Sequence, residues 1–195
     1  ASLALASAPS FAADRRRVVT ILGDSITAGY GLPAAQALPA RLQAALDAAH
    51  ARAVVRGAGV SGDTTAGGLA RVDFSVQSDT ALCVVALGGN DLLQGQPARS
   101  VEANLDRIVT RLQARRIKVL VAGLVPPPAI GRAYAAEFAG AFGAVARKHG
   151  VRLYPDLLAG VGPELRQRDG IHPDARGADV IARRLAPVVL KALGA

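Results

Sequence analysis

A chain of 195 residues, 51% apolar and 19% charged, suits one globular core and requires no second domain. Its formal charge of +8 comes from 23 Lys and Arg against 15 Asp and Glu, yet the basic residues are scattered and the aromatic share is only 4%. Without aromatics between them to stack bases, they describe a solvated basic surface and argue against a nucleic-acid partner. No apolar run approaches the roughly 18 residues of a transmembrane segment.

Residues 1–14 begin with a small, apolar stretch ending in Ser10-Phe11-Ala12, the small-x-small pattern of an export-signal cleavage site. They are read as the residual tail of such a signal or a flexible arm, which implies a periplasmic or secreted protein. Residues 15–195 are read as one domain, with a monomer expected.

Short β-branched runs then alternate with longer segments of helical period, the pattern of βαβ units around a parallel sheet. The first predicted strand, 18–22, leads into Gly23-Asp24-Ser25. A serine at a strand end can expose its hydroxyl as a nucleophile, although Asp and Ser here also suit the cap of a helix beginning near Ile26.

After a predicted helix at 35–49 and a strand at 53–56 comes Gly57-Ala58-Gly59-Val60-Ser61-Gly62. Its G-x-G-x-x-G spacing before a predicted helix, 64–72, admits a dinucleotide-binding loop as a rival reading. The acid that such a loop needs roughly 20 residues on is missing, because the nearest candidate, Asp91, lies 29 positions beyond Gly62.

Cys83 falls inside the third predicted strand, 81–87, and reads as a buried small hydrophobe. As the only cysteine, it excludes a disulfide within the chain. Gly88-Gly89-Asn90-Asp91 follows and by itself would pass for a turn. On the next predicted helix, 101–115, Val101, Leu105, Ile108, Val109 and Leu112 form one stripe to pack on the sheet.

The fourth predicted strand, 119–124, runs into Val125-Pro126-Pro127-Pro128, which cannot extend it and is expected to wall the pocket. A helix at 133–148 stops at Gly150, and a fifth strand spans 151–154. Asp169 and His172, three residues apart before a final helix at 175–193, can pair as carboxylate and imidazole. His50 and His149, near predicted helix ends, read as surface histidines. The three histidines are far apart and show no H-x-x-x-H spacing, so no metal is expected.

Together these pieces supply a nucleophile (Ser25), a base with its orienting carboxylate (His172, Asp169), and neutral donors for a developing oxyanion. The donors are the Asn90 amide and the backbone N–H groups of Gly62 and Ser25. This is the chemistry of a serine esterase. Activity should rise with pH as the imidazole gives up its proton. Two other classes remain open at this point: a nucleotide-binding module built on Gly57 to Gly62, and a polysaccharide-binding module without turnover.

Four blocks, in order, resemble the SGNH hydrolase superfamily, also called GDSL esterases, and within it the bacterial periplasmic lysophospholipase, thioesterase and arylesterase group. They are Gly23-Asp24-Ser25-Ile26-Thr27-Ala28-Gly29-Tyr30-Gly31; Ser61-Gly62-Asp63-Thr64-Thr65 with Gly68-Leu69-Ala70-Arg71; Leu87 to Asp91; and Asp169-Gly170-Ile171-His172-Pro173.

The resemblance implies a three-layer α/β/α sandwich on a flavodoxin-like five-stranded parallel sheet, no cofactor, and a small-molecule ester as substrate, lipid included. It assigns the triad Ser25, Asp169 and His172 and the oxyanion donors Ser25, Gly62 and Asn90. Asp24, Pro126, Pro127 and Ile171 are expected to touch the substrate. Ala129-Ile130-Gly131 belongs to the loop that helps choose the acyl group. Gly57-Ala58-Gly59, where the family often carries Asn-Ala-Ser, is expected to loosen the packing behind the second block.

Overall fold

The computed structural model describes residues 16–194, so the N-terminal segment read as an export-signal tail lies outside the described residues. Five parallel strands form one sheet: β1 (Arg17–Gly23), β2 (Ala53–Gly59), β3 (Thr80–Ala86), β4 (Lys118–Ala122) and β5 (Arg152–Tyr154). Their order is β2-β1-β3-β4-β5. The chain therefore reverses direction across the sheet between β1 and β3, and the crevice at the carboxyl ends there is where open α/β sheets hold ligands.

Each central strand alternates its side chains between two cores. Val19, Ile21, Leu82 and Val84 point into one cluster, while Leu22, Cys83 and Val85 point into the other. The first is covered by α2 (Leu38–Ala48) and α7 (Ala175–Leu193), and the second by α3 (Thr65–Ser75), α5 (Ala98–Ala114) and α6 (Arg132–His149). The predicted stripe on α5 is fully buried at all five positions. Two short helices, α1 (Ser25–Ala28) and α4 (Gly89–Leu93), complete the series directly after β1 and β3.

Several boundaries depart from the periodicity. Helix α2 begins three residues late because Pro39 sits in its first turn and a separate 3-10 turn, Ala34–Gln36, precedes it. Strand β4 stops at Ala122, and Gly123 instead donates its N–H to the carbonyl of Tyr154 at 2.7 Å.

Strand β2 runs on through Gly59, so the first half of the glycine-rich segment is sheet and not a phosphate-cradling loop. The nucleotide-binding reading loses its loop. Nor is packing loose there: a β-carbon on Gly59 would stand 2.3 Å from the Ala28 nitrogen and 2.8 Å from the Asp24 carbonyl. Glycine at 59 lets the backbone of α1 lie directly on the sheet edge.

His149 is also more than a surface residue. Its ring lies 2.6 Å from Asp106 and 3.1 Å from Gln113, tethering the end of α6 to α5.

Candidate active site

Both sequence readings of Asp24 and Ser25 hold at once. Asp24 caps α1, its Oδ1 accepting from the Ile26 N–H at 3.0 Å, and Ser25 is the first helical residue. Its own N–H lies in the first turn, where no intrahelical acceptor exists. Burial pushes the Asp24 carboxyl up to about 6. With its side chain buried on the cap, Asp24 supports the turn from within and does not present itself to a substrate as expected.

The loop carrying Asp169 and His172 is closed at its base by an antiparallel bridge between Arg166 and Pro173, with the Gln167 N–H donating to the His172 carbonyl at 2.8 Å. Gly170 takes a left-handed φ of 69° at the tip. Asp169 Oδ1 accepts from the backbone N–H groups of Ile171 and His172, at 2.9 and 3.0 Å, and Oδ2 meets His172 Nδ1 at 2.6 Å. The His172 bond and these two backbone donors lower the Asp169 carboxyl to about 2. Across 147 residues of sequence, His172 Nε2 then meets Ser25 Oγ at 2.9 Å. Hydroxyl, imidazole and carboxylate form one continuous chain.

Two residues that sequence reasoning missed hold this loop to the segment that follows Ser25. The ring of Tyr30 lies against the His172 imidazole with centroids 4.6 Å apart and planes tilted by 34°. Gln167 donates Nε2 to the carbonyls of Tyr30, at 2.7 Å, and Pro173, at 3.0 Å. Gly31 leaves room for that amide, since a β-carbon there would sit 2.2 Å from Gln167 Oε1.

Because β1 lies between β2 and β3, Gly62 and Asn90 stand on either side of Ser25. Gly62, with φ of 83°, occupies the tight turn in which the Asp63 N–H donates to the Val60 carbonyl, and a β-carbon on it would meet nothing within 4 Å. Asn90 Nδ2 donates to the Asp63 carbonyl at 2.9 Å. An amide nitrogen carries two hydrogens, so one remains for a ligand.

Beneath them Asp91 is buried and accepts from the Thr65 N–H at 2.8 Å and the Thr65 hydroxyl at 2.6 Å, locking α4 to the start of α3. Arg71, whose role local pattern could not reveal, binds four neighbours: Asp63 at 2.7 Å, the Gly23 carbonyl at 2.8 Å, the Ala58 carbonyl at 2.9 Å and Ser75 at 3.1 Å. One guanidinium thus joins the ends of β1 and β2 to the turn that carries Gly62.

A crevice beside the serine is lined by Ser25, Ile26, Gly29, Tyr30, Leu32, His172, Pro173 and Ala178. Pro126 and Pro127 do not reach it. They follow β4, which β3 separates from β1, and Pro126 is packed inward while Pro127 is exposed. Ile171 is exposed on the surface beside His172.

A family model described as GDSL-like lipase/acylhydrolase matches residues 21–180. The esterase TesA of Pseudomonas aeruginosa is 40% identical over 161 residues, 80% of each chain. Thioesterase 1/protease 1/lysophospholipase L1 of Escherichia coli K12 is 35% identical over 187 residues, 92% of this chain and 88% of that protein. Among solved structures, a crystal structure of TesA superposes with a TM-score of 0.84 at 36% identity, covering 91% of this chain and 99% of the other.

Proposed function

Since the chain belongs to the GDSL-like lipase/acylhydrolase family and is an ester hydrolase, we propose that Ser25, His172 and Asp169 are its catalytic residues and that the reaction passes through an acyl-Ser25 intermediate. The observation that carries this is the hydrogen-bonded chain from Ser25 Oγ through both imidazole nitrogens to Asp169.

Ser25 Oγ attacks the ester carbonyl carbon while His172 Nε2 takes its proton. Asp169 keeps Nδ1 protonated and stabilises the imidazolium. Negative charge on the carbonyl oxygen is received by the N–H groups of Ser25 and Gly62 and the free amide hydrogen of Asn90. The imidazolium passes its proton to the leaving alcohol, phenol or thiol as the C–O or C–S bond breaks. Water, deprotonated by His172, then attacks the acyl-serine, and the carboxylic acid leaves with Ser25 restored. Every group in this sequence belongs to the protein, so no metal or cofactor is required.

Residues 15–195 act as one catalytic domain, working outside the cytoplasm, in the periplasm or as a secreted protein. Its substrates are short- to medium-chain carboxylic esters, including aryl esters, thioesters and lysophospholipids. Release of nitrophenol from nitrophenyl acetate tests the mechanism. Ser25→Ala should lower the rate by about 10⁴-fold or more, and a Ser25→Ala protein of undiminished activity would refute it. The same assay separates turnover from saturable binding of a polysaccharide without product.

A further inference from the structure

The imidazole of His172 works on an arm open to water, which competes for every bond that orients it. Its side chain is 18% exposed and that of Asp169 is 34% exposed, so the carboxylate at Nδ1 is partly screened. Hydrogen bonds at Nδ1 and Nε2 hold the edges of the ring. What meets its face is Tyr30, with centroids 4.6 Å apart and a tilt of 34°, nearer to stacked than to edge-on.

Tyr30 is itself aimed from the backbone. Its N–H donates to the Ser25 carbonyl at 3.0 Å, and its own carbonyl accepts from Gln167 Nε2 at 2.7 Å. Gly29 and Gly31 stand on either side of it with left-handed φ of 76° and 72°. Gln167 gives its second hydrogen to the carbonyl of Pro173, the residue after His172. Helix α1, the phenol ring and the loop of His172 are thereby one bonded unit. Core packing does not call for it, since Tyr30 is 54% exposed.

We infer that Tyr30, set in place by Gln167, is a positioning residue for His172: its ring face holds the imidazole in line between Ser25 and Asp169 and stabilises the imidazolium formed when the Ser25 proton is taken. A cation within about 6 Å of an aromatic centroid is attracted by the face of that ring. His172 carries positive charge only once it has accepted a proton, so the contact strengthens as the reaction proceeds, which is the condition for lowering a barrier. This rests on His172 acting as the base.

Other charges lie around the same imidazole. Asp169, Arg168 and Arg166 belong to its own loop, Asp24 stands at the head of α1, and Asp174 is paired with Arg176 at the start of α7. Asp24, which titrates near 6, contributes to the acid limb of activity in parent and variants alike. A difference between leucine and phenylalanine at position 30 therefore belongs to the ring.

The test measures kcat and KM for nitrophenyl acetate across the acid limb and the plateau, with thermal midpoints to establish folding. Tyr30→Leu should lower the plateau of kcat/KM about tenfold. It should also move the acid limb about half a pH unit toward acid, because an imidazolium without its support gives up its proton at lower pH. Tyr30→Phe keeps the face and should restore the limb, with the plateau within about twofold of the parent. Gln167→Leu keeps the ring but unties its segment, and should lower the plateau about threefold.

A limb that stays in place in Tyr30→Leu, or a rate that Tyr30→Phe does not restore, overturns the inference and leaves the triad standing. So does a parental rate in Gln167→Leu, or a change in KM alone in Tyr30→Leu, which would make Tyr30 only a wall of the crevice. Full activity in His172→Ala would refute the base itself, and the inference with it.

Discussion

The two halves of the candidate site are held by different means. The floor, where β1, β2 and β3 end, is braced by partly or wholly buried polar contacts between residues distant in sequence: Arg71 to Gly23, Asp91 to Thr65, Asn90 to Asp63. The arm carrying Asp169 and His172 is exposed and held chiefly by bonds to its own neighbours, with Gln167 and Tyr30 as its links to the segment that follows Ser25. A buried brace makes stability and site geometry one property. On the exposed arm they are separable, because water replaces whatever bond is removed.

Asp169→Asn makes the sharpest test of that separation. Asparagine keeps an oxygen for the two backbone N–H groups but cannot serve both them and Nδ1–H of His172 as the carboxylate does. Activity should fall by about 10⁴-fold, as for other triads that lose the orienting acid, while the thermal midpoint at neutral pH stays near that of the parent. A midpoint that dropped with the activity would show the arm to be structural as well.

Arg71→Ala should behave in the opposite way. It leaves Asp63 without its partner and two backbone carbonyls without a donor, so unfolding should become easier by about 3 to 5 kcal/mol, measured in denaturant. Hydrolysis should weaken too, since the Gly62 turn loses its anchor. Arg71→Lys should restore little, because one ammonium cannot reach the directions a guanidinium fork serves.

The smallest effect concerns two carboxyl groups shifted in opposite senses. Asp24 stays protonated in the folded protein up to about 6, whereas its ordinary value, which the unfolded chain follows, is 3.8. Between those limits the unfolded state holds fewer protons, so stability falls as pH rises, by about 3 kcal/mol at most. Asp169, lowered to about 2, has the other sign: its contribution, small because the group is exposed to solvent, is present above pH 4 and is lost as pH falls toward 2. Asp24→Asn, which preserves the cap, should flatten the slope between pH 4 and 6 and leave the acid limb below it. Unfolding curves at several pH values decide the matter, and an unchanged slope in the variant would remove Asp24 as its source.

The strands, the long helices and the pairing of Asp169 with His172 were readable because each leaves a local mark: alternation in β3, a stripe on α5, the short spacing from Asp169 to His172. What escaped is non-local. α1 and α4 are too short to show helical periodicity. Gly57 to Gly59 read as loop because glycine disfavours strands, yet the backbone of α1 resting on Gly59 outweighs that preference. Arg71, Tyr30 and His149 find partners 48, 142 and 43 positions away, and nothing near them in the chain announces it. Pro126 and Pro127 lie after β4 at the carboxyl edge, as read, but their distance from Ser25 depends on strand order, which no local pattern carries: β2-β1-β3-β4-β5 puts β3 between them.

Cys83 lies at the middle of the central strand, wholly enclosed, its thiol pushed up to about 12 by burial. Only the thiolate reacts with alkylating reagents, and this one can form only after the surrounding layers part. The chain therefore carries its own stopwatch for global opening: the pace at which a thiol label enters measures how often the centre of the sheet is laid bare.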